Sequence, residues 1–186
     1  MDTDVDLMLR SQAGDVSAFE QLMRKHQRSV INTIYRFIGN RAEAEELAQE
    51  VFLKVYNSAQ KYKRKAKFST WLYKITTNLC LNEIRRKRLE TVSLDDLAER
   101  ASELADTRQT PPDITLEKNQ LAALVRKAVR SLPEKQRMAL ILREYDGLSY
   151  KEIAEVMACS VASVQSRLQR AKANLKEKLT PYLKED

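Results

Sequence analysis

The sequence predicts an all-α protein of two small helical domains joined by an acidic, flexible linker. Three glycines, four prolines and 6% aromatic residues leave few of the turn signals that a β-sheet needs. The net charge alternates along the chain, at +7 over residues 1–88, −5 over residues 89–118 and +5 over residues 119–186. Two basic bodies on one acidic tether indicate binding to a polyanion. We therefore predict domains at 1–90 and 119–186, with the linker at 91–118.

Composition excludes several classes of protein. No apolar run of about 18 residues is present, and the start MDTDVDLMLR is acidic, so neither a membrane span nor a secretory signal is predicted and we expect a cytoplasmic protein. Cys80 and Cys159 are interpreted as small buried thiols. Together with the single histidine, His26, which we expect at the surface, they fall short of the roughly four ligands of a zinc site. No Gly-rich phosphate loop and no nucleophile with a base occur, so we predict neither an enzyme nor a cofactor.

Two amphipathic helices are predicted first. Gly14 and Asp15 precede a long helix that ends at Gly39-Asn40, and RAEAEELAQEVFLKVYNSAQKY forms the next one. Acids near a helix N-terminus are favoured by the macrodipole whether or not they bind anything. An acidic face in a basic domain has no use on DNA, however, and the leucine beside it indicates a protein contact. That face contains Glu43, Glu46, Gln49, Glu50 and Leu53.

The following loop, KYKRKAKF, interleaves five cations with two aromatic residues before a third helix opens at Ser69-Thr70. Cations track phosphates, and aromatic faces stack on unpaired bases, so the pattern is typical of single-strand binding. Phe68 and Trp71 are equally candidates for the core, and for Trp71 the core is favoured. The candidates for nucleic-acid contact are Tyr62, Lys63, Arg64, Lys65, Phe68, Trp71, Lys74 and Asn78.

The segment 91–118 contains Pro111-Pro112, scattered acids and no sustained apolar stripe. A short helix around Leu94 to Leu104 is compatible with its pattern. Because a structureless stretch of this length is uncommon inside one compact domain, we place the domain boundary here.

A helix-turn-helix is predicted between Leu148 and Leu175. Ser149 and Glu152 form a capping box, so a short helix begins near Tyr150. The pattern breaks at Ala158-Cys159-Ser160, where alanine stands at a position that usually carries glycine. The second helix then has an apolar stripe spaced by three and four residues, at Val161, Val164, Leu168, Ala171 and Leu175.

The opposite face of that second helix is small, polar and basic. Such a face fits the major groove, where Gln and Arg can pair with base edges. Periodicity alone is equally consistent with an ordinary solvated face, but the capping box, the short turn and the basic character together favour DNA. The candidate base readers are Ser163, Gln165, Ser166, Gln169 and Arg170, and the candidate phosphate contacts are Arg167, Lys172 and Lys176.

The order of these motifs resembles that of one bacterial family. GDVSAFE, AEELAQEVFLKVY, a basic loop leading into FSTWLYKITTN, an acidic linker and SLPEKQRMALILREYDGLSYKEIAEVM with its helix-turn-helix are similar to the extracytoplasmic-function sigma factors. The resemblance covers nearly the whole chain. It implies a sigma-two domain, a linker and a sigma-four domain, and a stress-type regulon.

The resemblance also implies partners. Glu46, Gln49 and Glu50 fall where the family grips the clamp helices of the largest subunit of RNA polymerase, and the polymerase flap and an anti-sigma factor are further expected partners. The linker would thread toward the polymerase cleft. The anti-sigma factor would be the means of holding an otherwise cytoplasmic protein at the inner membrane.

The resemblance assigns the DNA contacts to two promoter elements. The basic loop and the helix after it would melt the −10 element and capture an extruded base, through Tyr62, Lys63, Phe68, Trp71 and Asn78. The second helix of the helix-turn-helix would read the −35 element through Gln165, Ser166, Gln169 and Arg170.

An alternative function is a two-domain transcriptional regulator that binds duplex DNA without polymerase. LSYKEIAEVMACSVASVQSRL also resembles the output helices of response regulators. This alternative leaves the basic, aromatic loop unexplained.

Overall fold

In a computed structural model, which describes residues 3–63, 67–94 and 116–182, the chain is helical and contains no strand in those ranges. The all-α prediction is confirmed. The α-helices are α1 (Asp4–Gln12), α2 (Val16–Ile38), α3 (Arg41–Asn57), α4 (Phe68–Leu94), α5 (Leu116–Arg130), α6 (Glu134–Glu144), α7 (Tyr150–Val156) and α8 (Val161–Leu179). Short 3-10 turns follow α3 and α8, at Ala59–Lys61 and Thr180–Tyr182.

Side chains close to each helix start and end set the boundaries of the first helices. The carboxylate of Asp15 accepts from the backbone N–H of Ala18 and caps α2. Gly39 ends α2 in the left-handed conformation, with φ at 91°, and its N–H donates to the carbonyl of Tyr35. Asn40 then caps α3. The predicted break at Gly39-Asn40 is confirmed, and both causes are local in sequence.

The N-terminal half, α1 to α4, packs around a core between α2, α3 and α4. The helices bury one apolar stripe each, which leaves the outer faces free for polar and charged groups. Its fully buried side chains include Leu22, Ile34, Phe37, Val51 and Leu72.

The C-terminal half contains α5 to α8, with α6 and α7 both packed on α8. The predicted short helix from Tyr150 and the helix after Ser160 are both present. Its core side chains include Met138, Ile141, Leu142, Ile153 and Leu168.

The two halves lie in direct contact. Helix α2 packs on α5 and α6, and α4 packs on α7, so the buried side chains of both halves form one continuous cluster. The predicted linker, 91–118, includes the last four residues of α4 and the first three of α5, and the helix expected around Leu94 to Leu104 lies, beyond Leu94, outside the described residues.

The two cysteines differ in exposure. Cys80 is fully buried as predicted, and burial raises the pKa of its thiol to about 12. Cys159 is only half-buried, because it lies in the turn before α8.

Candidate nucleic-acid and protein interfaces

The capping box at the start of α7 is confirmed. The Ser149 Oγ accepts from the Glu152 backbone N–H at 3.2 Å, and the Glu152 carboxylate accepts from the Ser149 backbone N–H at 2.8 Å. The hydrogen bond from Lys67, followed by those from Ser149, lowers the pKa of Glu152 to about 2. The carboxylate is therefore ionised at neutral pH and holds the start of α7.

The turn between α7 and α8 is held by backbone and side-chain bonds. Ala158 adopts a positive φ of 48°, which costs an alanine about 1 kcal/mol or more. The Cys159 N–H donates to the Ala154 carbonyl at 2.9 Å, and Ser160 Oγ accepts from the Ser163 N–H at 3.1 Å. The predicted turn therefore forms with alanine in place of glycine.

Helix α8 presents the predicted reading face to solvent. Gln165, Gln169 and Arg170 are exposed, and Ser163 and Ser166 are half-buried. On the opposite side Val164, Leu168 and Ala171 are buried. Val161 is 37% exposed although it belongs to the apolar stripe, because the first residue of the helix has no turn before it to cover it.

The cations of α8 have neighbours in the structure. Lys172 Nζ lies 3.0 Å from the Glu144 carboxylate, with the lysine side chain 61% exposed. An exposed ion pair of this kind contributes little and can be exchanged for a phosphate. Arg167 is half-buried and its Nη1 donates to Cys159 Sγ at 3.2 Å, so it supports the turn.

The aromatic residues of the basic loop are arranged differently from the sequence expectation. Tyr62 and Phe68 are 4% and 2% exposed, whereas Trp71 is only half-buried. The centroid of the Tyr62 ring lies 6.2 Å from that of Phe68 and 5.3 Å from that of Trp71. His26, expected at the surface, is 14% exposed, binds Asp4 at 2.9 Å and packs against Phe68. Tyr62 and Phe68 therefore present no free face for a base in this structure.

A long-range bond explains why Tyr62 turns inward. The 3-10 turn at Ala59–Lys61 directs the chain back toward α1, where the Gln12 side chain donates to the carbonyls of Ala59 at 2.6 Å and Tyr62 at 3.1 Å. Gln12 is about fifty residues away in sequence, so no local pattern could predict this placement.

A polar strip remains on the outside of this region. Trp71, Lys74 and Asn78 are spaced by three and four residues on α4, and the last two are exposed, as is Lys63. Lys67, a cation of the loop that was not singled out from the sequence, lies 2.8 Å from Glu152 of α7 with its side chain 75% exposed. Arg64 and Lys65 lie outside the described residues.

The acidic face of α3 has two sides. Glu46 and Glu50 border a hollow shared with α4, in which Glu43 pairs with Lys87 and Glu83 pairs with Arg86 at 2.7 Å. The cations of α4 thus offset part of the negative charge of this face.

On the other side of α3, Gln49 and Leu53 border an apolar groove of about 520 Å³ between α2 and α3. Leu53 is 62% exposed and Tyr56 51% exposed at its rim. The Tyr56 ring packs edge-on against Phe19 of α2, with centroids 5.1 Å apart. An exposed apolar groove with a polar rim is typical of a protein-binding surface. The contribution of α2 was not predicted, because it depends on how two helices pack.

Within residues 3–63, 67–94 and 116–182, no group of three or more His, Cys, Asp or Glu side chains is placed to hold a metal ion. No described helix is long and apolar enough to cross a membrane.

Two family models match the chain. Residues 22–90 match Sigma-70 region 2, and residues 122–175 match Sigma-70, region 4. The first range contains the groove on α3 apart from Phe19, and the polar strip on α4, and the second contains the helix-turn-helix.

Similar proteins extend the match to the full length. The chain is 36% identical to the RNA polymerase sigma-H factor of Pseudomonas aeruginosa, over 98% of this chain and 96% of that protein. It is 34% identical to the ECF RNA polymerase sigma-E factor of Haemophilus influenzae, over 97% of both chains. It is 33% identical to the sigma-E factor of Escherichia coli strain K12, over 98% of this chain and 97% of that one.

Solved structures support the fold. The structure of CnrH in complex with the cytosolic domain of CnrY aligns with a TM-score of 0.71 at 20% identity, over 97% of this chain and 99% of that one. The sigma factor RpoE of Bartonella quintana, solved with the anti-sigma factor NepR, aligns with a TM-score of 0.69 at 22% identity, over 87% and 96% of the two chains. From these matches over its whole length, this chain belongs to the extracytoplasmic-function (ECF) sigma factors of the sigma-70 family.

Proposed function

We propose that this sigma factor joins RNA polymerase core through α3, contacts the −10 element with the basic loop and α4, and reads the −35 element with α8. The observation that supports this division is the presence of three exposed faces of different chemistry on three different helices. One is acidic and apolar, one is basic with an aromatic edge, and one is small and polar.

The core-binding surface consists of Glu46, Gln49, Glu50 and Leu53. All four are exposed and lie on one helix, and the groove beside Gln49 and Leu53 offers apolar area that water contacts in the free protein. Apolar area that becomes buried supplies affinity, whereas the acidic rim selects basic partners. The clamp helices of the polymerase are the proposed occupant.

The −35 surface consists of Ser163, Gln165, Ser166, Gln169, Arg170 and Lys172 on α8. Gln165, Gln169 and Arg170 are long, exposed and free to form paired hydrogen bonds with adenine and guanine edges. The two serines are short, which allows the helix to lie close to the bases. Lys172 exchanges its surface pair with Glu144 for a phosphate.

The −10 surface consists of Lys63, Trp71, Lys74 and Asn78, with Arg64 and Lys65 as further phosphate contacts. The half-exposed Trp71 offers the aromatic edge on which an unpaired base can stack. Tyr62 and Phe68 stay in this site as the buried support of Trp71, since their rings pack against it. A direct contact of either ring with a base requires the loop to open.

Further partners are proposed by analogy with the relatives. The polymerase flap would hold the C-terminal half, and an anti-sigma factor would compete for the groove on α3, since the B. quintana structure pairs a sigma factor with such a protein. The protein would work in the cytoplasm, where polymerase is, and an anti-sigma factor anchored in the inner membrane would retain it there.

Run-off transcription with purified core polymerase on a promoter library tests the proposal. We expect promoter-specific transcripts with the full chain, and loss of core binding when Glu46, Gln49 and Glu50 are all replaced by Ala. A full chain that binds promoter duplex specifically but neither binds core polymerase nor yields promoter-specific transcripts would contradict it, because the alternative regulator acts without polymerase.

A further inference from the structure

The contact between the two halves centres on a polar cluster in a mostly apolar interface. Asp146 follows α6, and both of its carboxylate oxygens lie 2.9 Å from the Thr33 Oγ1 of α2. Its carboxyl is also hydrogen-bonded to Tyr73 of α4. Thr33 is fully buried and Tyr73 is 8% exposed. One side chain of the C-terminal half is thus tied to two helices of the N-terminal half.

Other contacts surround this cluster. Arg137 Nη1 donates to the Phe37 carbonyl at 2.7 Å, and the Arg36 guanidinium lies 4.4 Å from the centre of the Tyr145 ring. At the far end Lys67 binds Glu152 at 2.8 Å. That last pair brings the proposed −10 loop against the helix-turn-helix that carries the −35 surface.

This proximity conflicts with the spacing of the proposed DNA targets. Promoter elements about 25 base pairs apart lie roughly 85 Å apart along a duplex, at about 3.4 Å per base pair. In the structure the elements that carry these surfaces touch each other, because α4 packs on α7 and Lys67 of the basic loop pairs with Glu152 of the helix-turn-helix. The packed arrangement cannot occupy both elements at once.

We propose that the packed arrangement is an autoinhibited closed state, latched by Thr33, Tyr73 and Asp146, which must open before the protein engages both promoter elements. The need to open rests on the proposed function, whereas the existence of the latch does not. A closed population lowers the apparent affinity for polymerase and promoter, which scales with the fraction of chains that is open.

The hydrogen-bond geometry accommodates a protonated Asp146 in this latch. Thr33 Oγ1 carries one proton but lies 2.9 Å from the Ser29 carbonyl as well as from the Asp146 carboxylate. It can donate to only one of them. A protonated Asp146 donates to Thr33 Oγ1, which then donates to Ser29, and all the groups are satisfied.

Burial, against the effect of the groups that face Asp146, determines the direction of its pH response. Burial raises its pKa from the ordinary 3.8 to about 6, although the hydrogen bonds from Thr33 and Tyr73 and the charge of Arg36 act in the opposite direction. A group with a raised pKa in the closed state stabilises that state at low pH, and this contribution is lost as the pH rises through about 6. Acid therefore closes the latch and neutral pH weakens it.

The expected change is large enough to measure. A shift of about two pKa units changes the ratio of open to closed chains roughly 100-fold overall, of which about tenfold falls between pH 5 and pH 8. Spin labels on the full chain, at Arg24→Cys and Glu177→Cys, report the distance between the halves by double electron–electron resonance. Both positions are exposed. Cys159→Ser removes the accessible native thiol, and buried Cys80 remains.

Three variants separate the latch from general destabilisation. Thr33→Val removes the hydroxyl and is expected to lengthen the distance at pH 5. Thr77→Val is the matched control, because Thr77 is equally buried in α4 and its hydroxyl has no hydrogen-bond partner within the described part of the chain. Asp146→Asn supplies a neutral donor and is expected to keep the short distance from pH 5 to pH 8. An unchanged helical content of each variant, measured by circular dichroism, excludes unfolding as the cause of a longer distance.

Two results would overturn the proposal. One is a distance distribution of the parent chain that is unchanged from pH 5 to pH 8 and insensitive to Thr33→Val. The other is an opening by Thr77→Val as large as that by Thr33→Val. The distances are measured without polymerase, so the two tests are independent. A negative distance result rejects the latch but not the proposed function, and a negative run-off result rejects the proposed function but not the latch.

Discussion

Leu53→Ala provides a quantitative test of the groove on α3. The side chain is 62% exposed in the free protein, so truncation is expected to change the free energy of unfolding by less than about 0.5 kcal/mol. Full burial of a leucine side chain is worth about 1.5–3 kcal/mol. Burying the remaining exposed part against polymerase is therefore worth about 1–2 kcal/mol, or roughly a 5- to 30-fold loss of core affinity on truncation.

The measurement is a titration of fluorescently labelled sigma factor with core polymerase, followed by anisotropy, with thermal unfolding recorded on the same samples. Leu89→Ala is the matched control. Leu89 is 65% exposed, but it lies on α4 and does not line the groove. Equal core affinities of the Leu53 and Leu89 variants, within about twofold, would refute the assignment of the groove to polymerase.

Three further predictions concern the DNA-binding elements. Ala158→Gly relieves the strain of the positive φ of 48° and should raise the free energy of unfolding, measured by chemical denaturation, by about 0.5–1 kcal/mol. An unchanged free energy of unfolding would show that the strain is absent. In holoenzyme, Arg170→Ala should lose about 1–3 kcal/mol of binding free energy on the preferred −35 sequence and flatten discrimination at one −35 position. Lys176→Ala should weaken binding to all −35 sequence variants equally and lower the slope of log affinity against log salt concentration by about one. A loss of affinity for Arg170→Ala that is uniform across those sequences would contradict base reading. Trp71→Ala should impair promoter melting, measured by permanganate footprinting, more than closed-complex binding, since stacking contributes about 1–3 kcal/mol per base. Equal losses of melting and of closed-complex binding would contradict a stacking role for Trp71.

Features that depend on neighbours within one or two turns could be predicted from the sequence. The capping box of Ser149 and Glu152, the break at Gly39-Asn40 and the turn at Ala158 each arise from residues close together in the chain, and all three are present. The reading face of α8 follows from the same periodicity that buries Val164 and Leu168 on its other side.

The roles of the aromatic residues in the basic loop could not be predicted from the sequence. The composition of the loop could not distinguish a residue that stacks on bases from one that packs in the core, because both roles require the same ring. Tyr62 is turned inward by Gln12, and Phe68 by its place at the start of α4, whereas Trp71 keeps part of its ring outside. The groove on α3 likewise needed Phe19 of α2 to complete it.

By itself, the sequence predicted helices α2, α3, α4, α7 and α8, the charge alternation and the outward face of α8, because these depend on local spacing; α1, α5 and α6 were not predicted individually. Only the tertiary structure decided how the two halves meet. Thr33 and Asp146 are 113 positions apart in sequence, and neither carries a local signal for the other. Their pairing follows from the packing of α2 and α4 against the C-terminal half, where burial turns an ordinary carboxyl into one that is sensitive to pH.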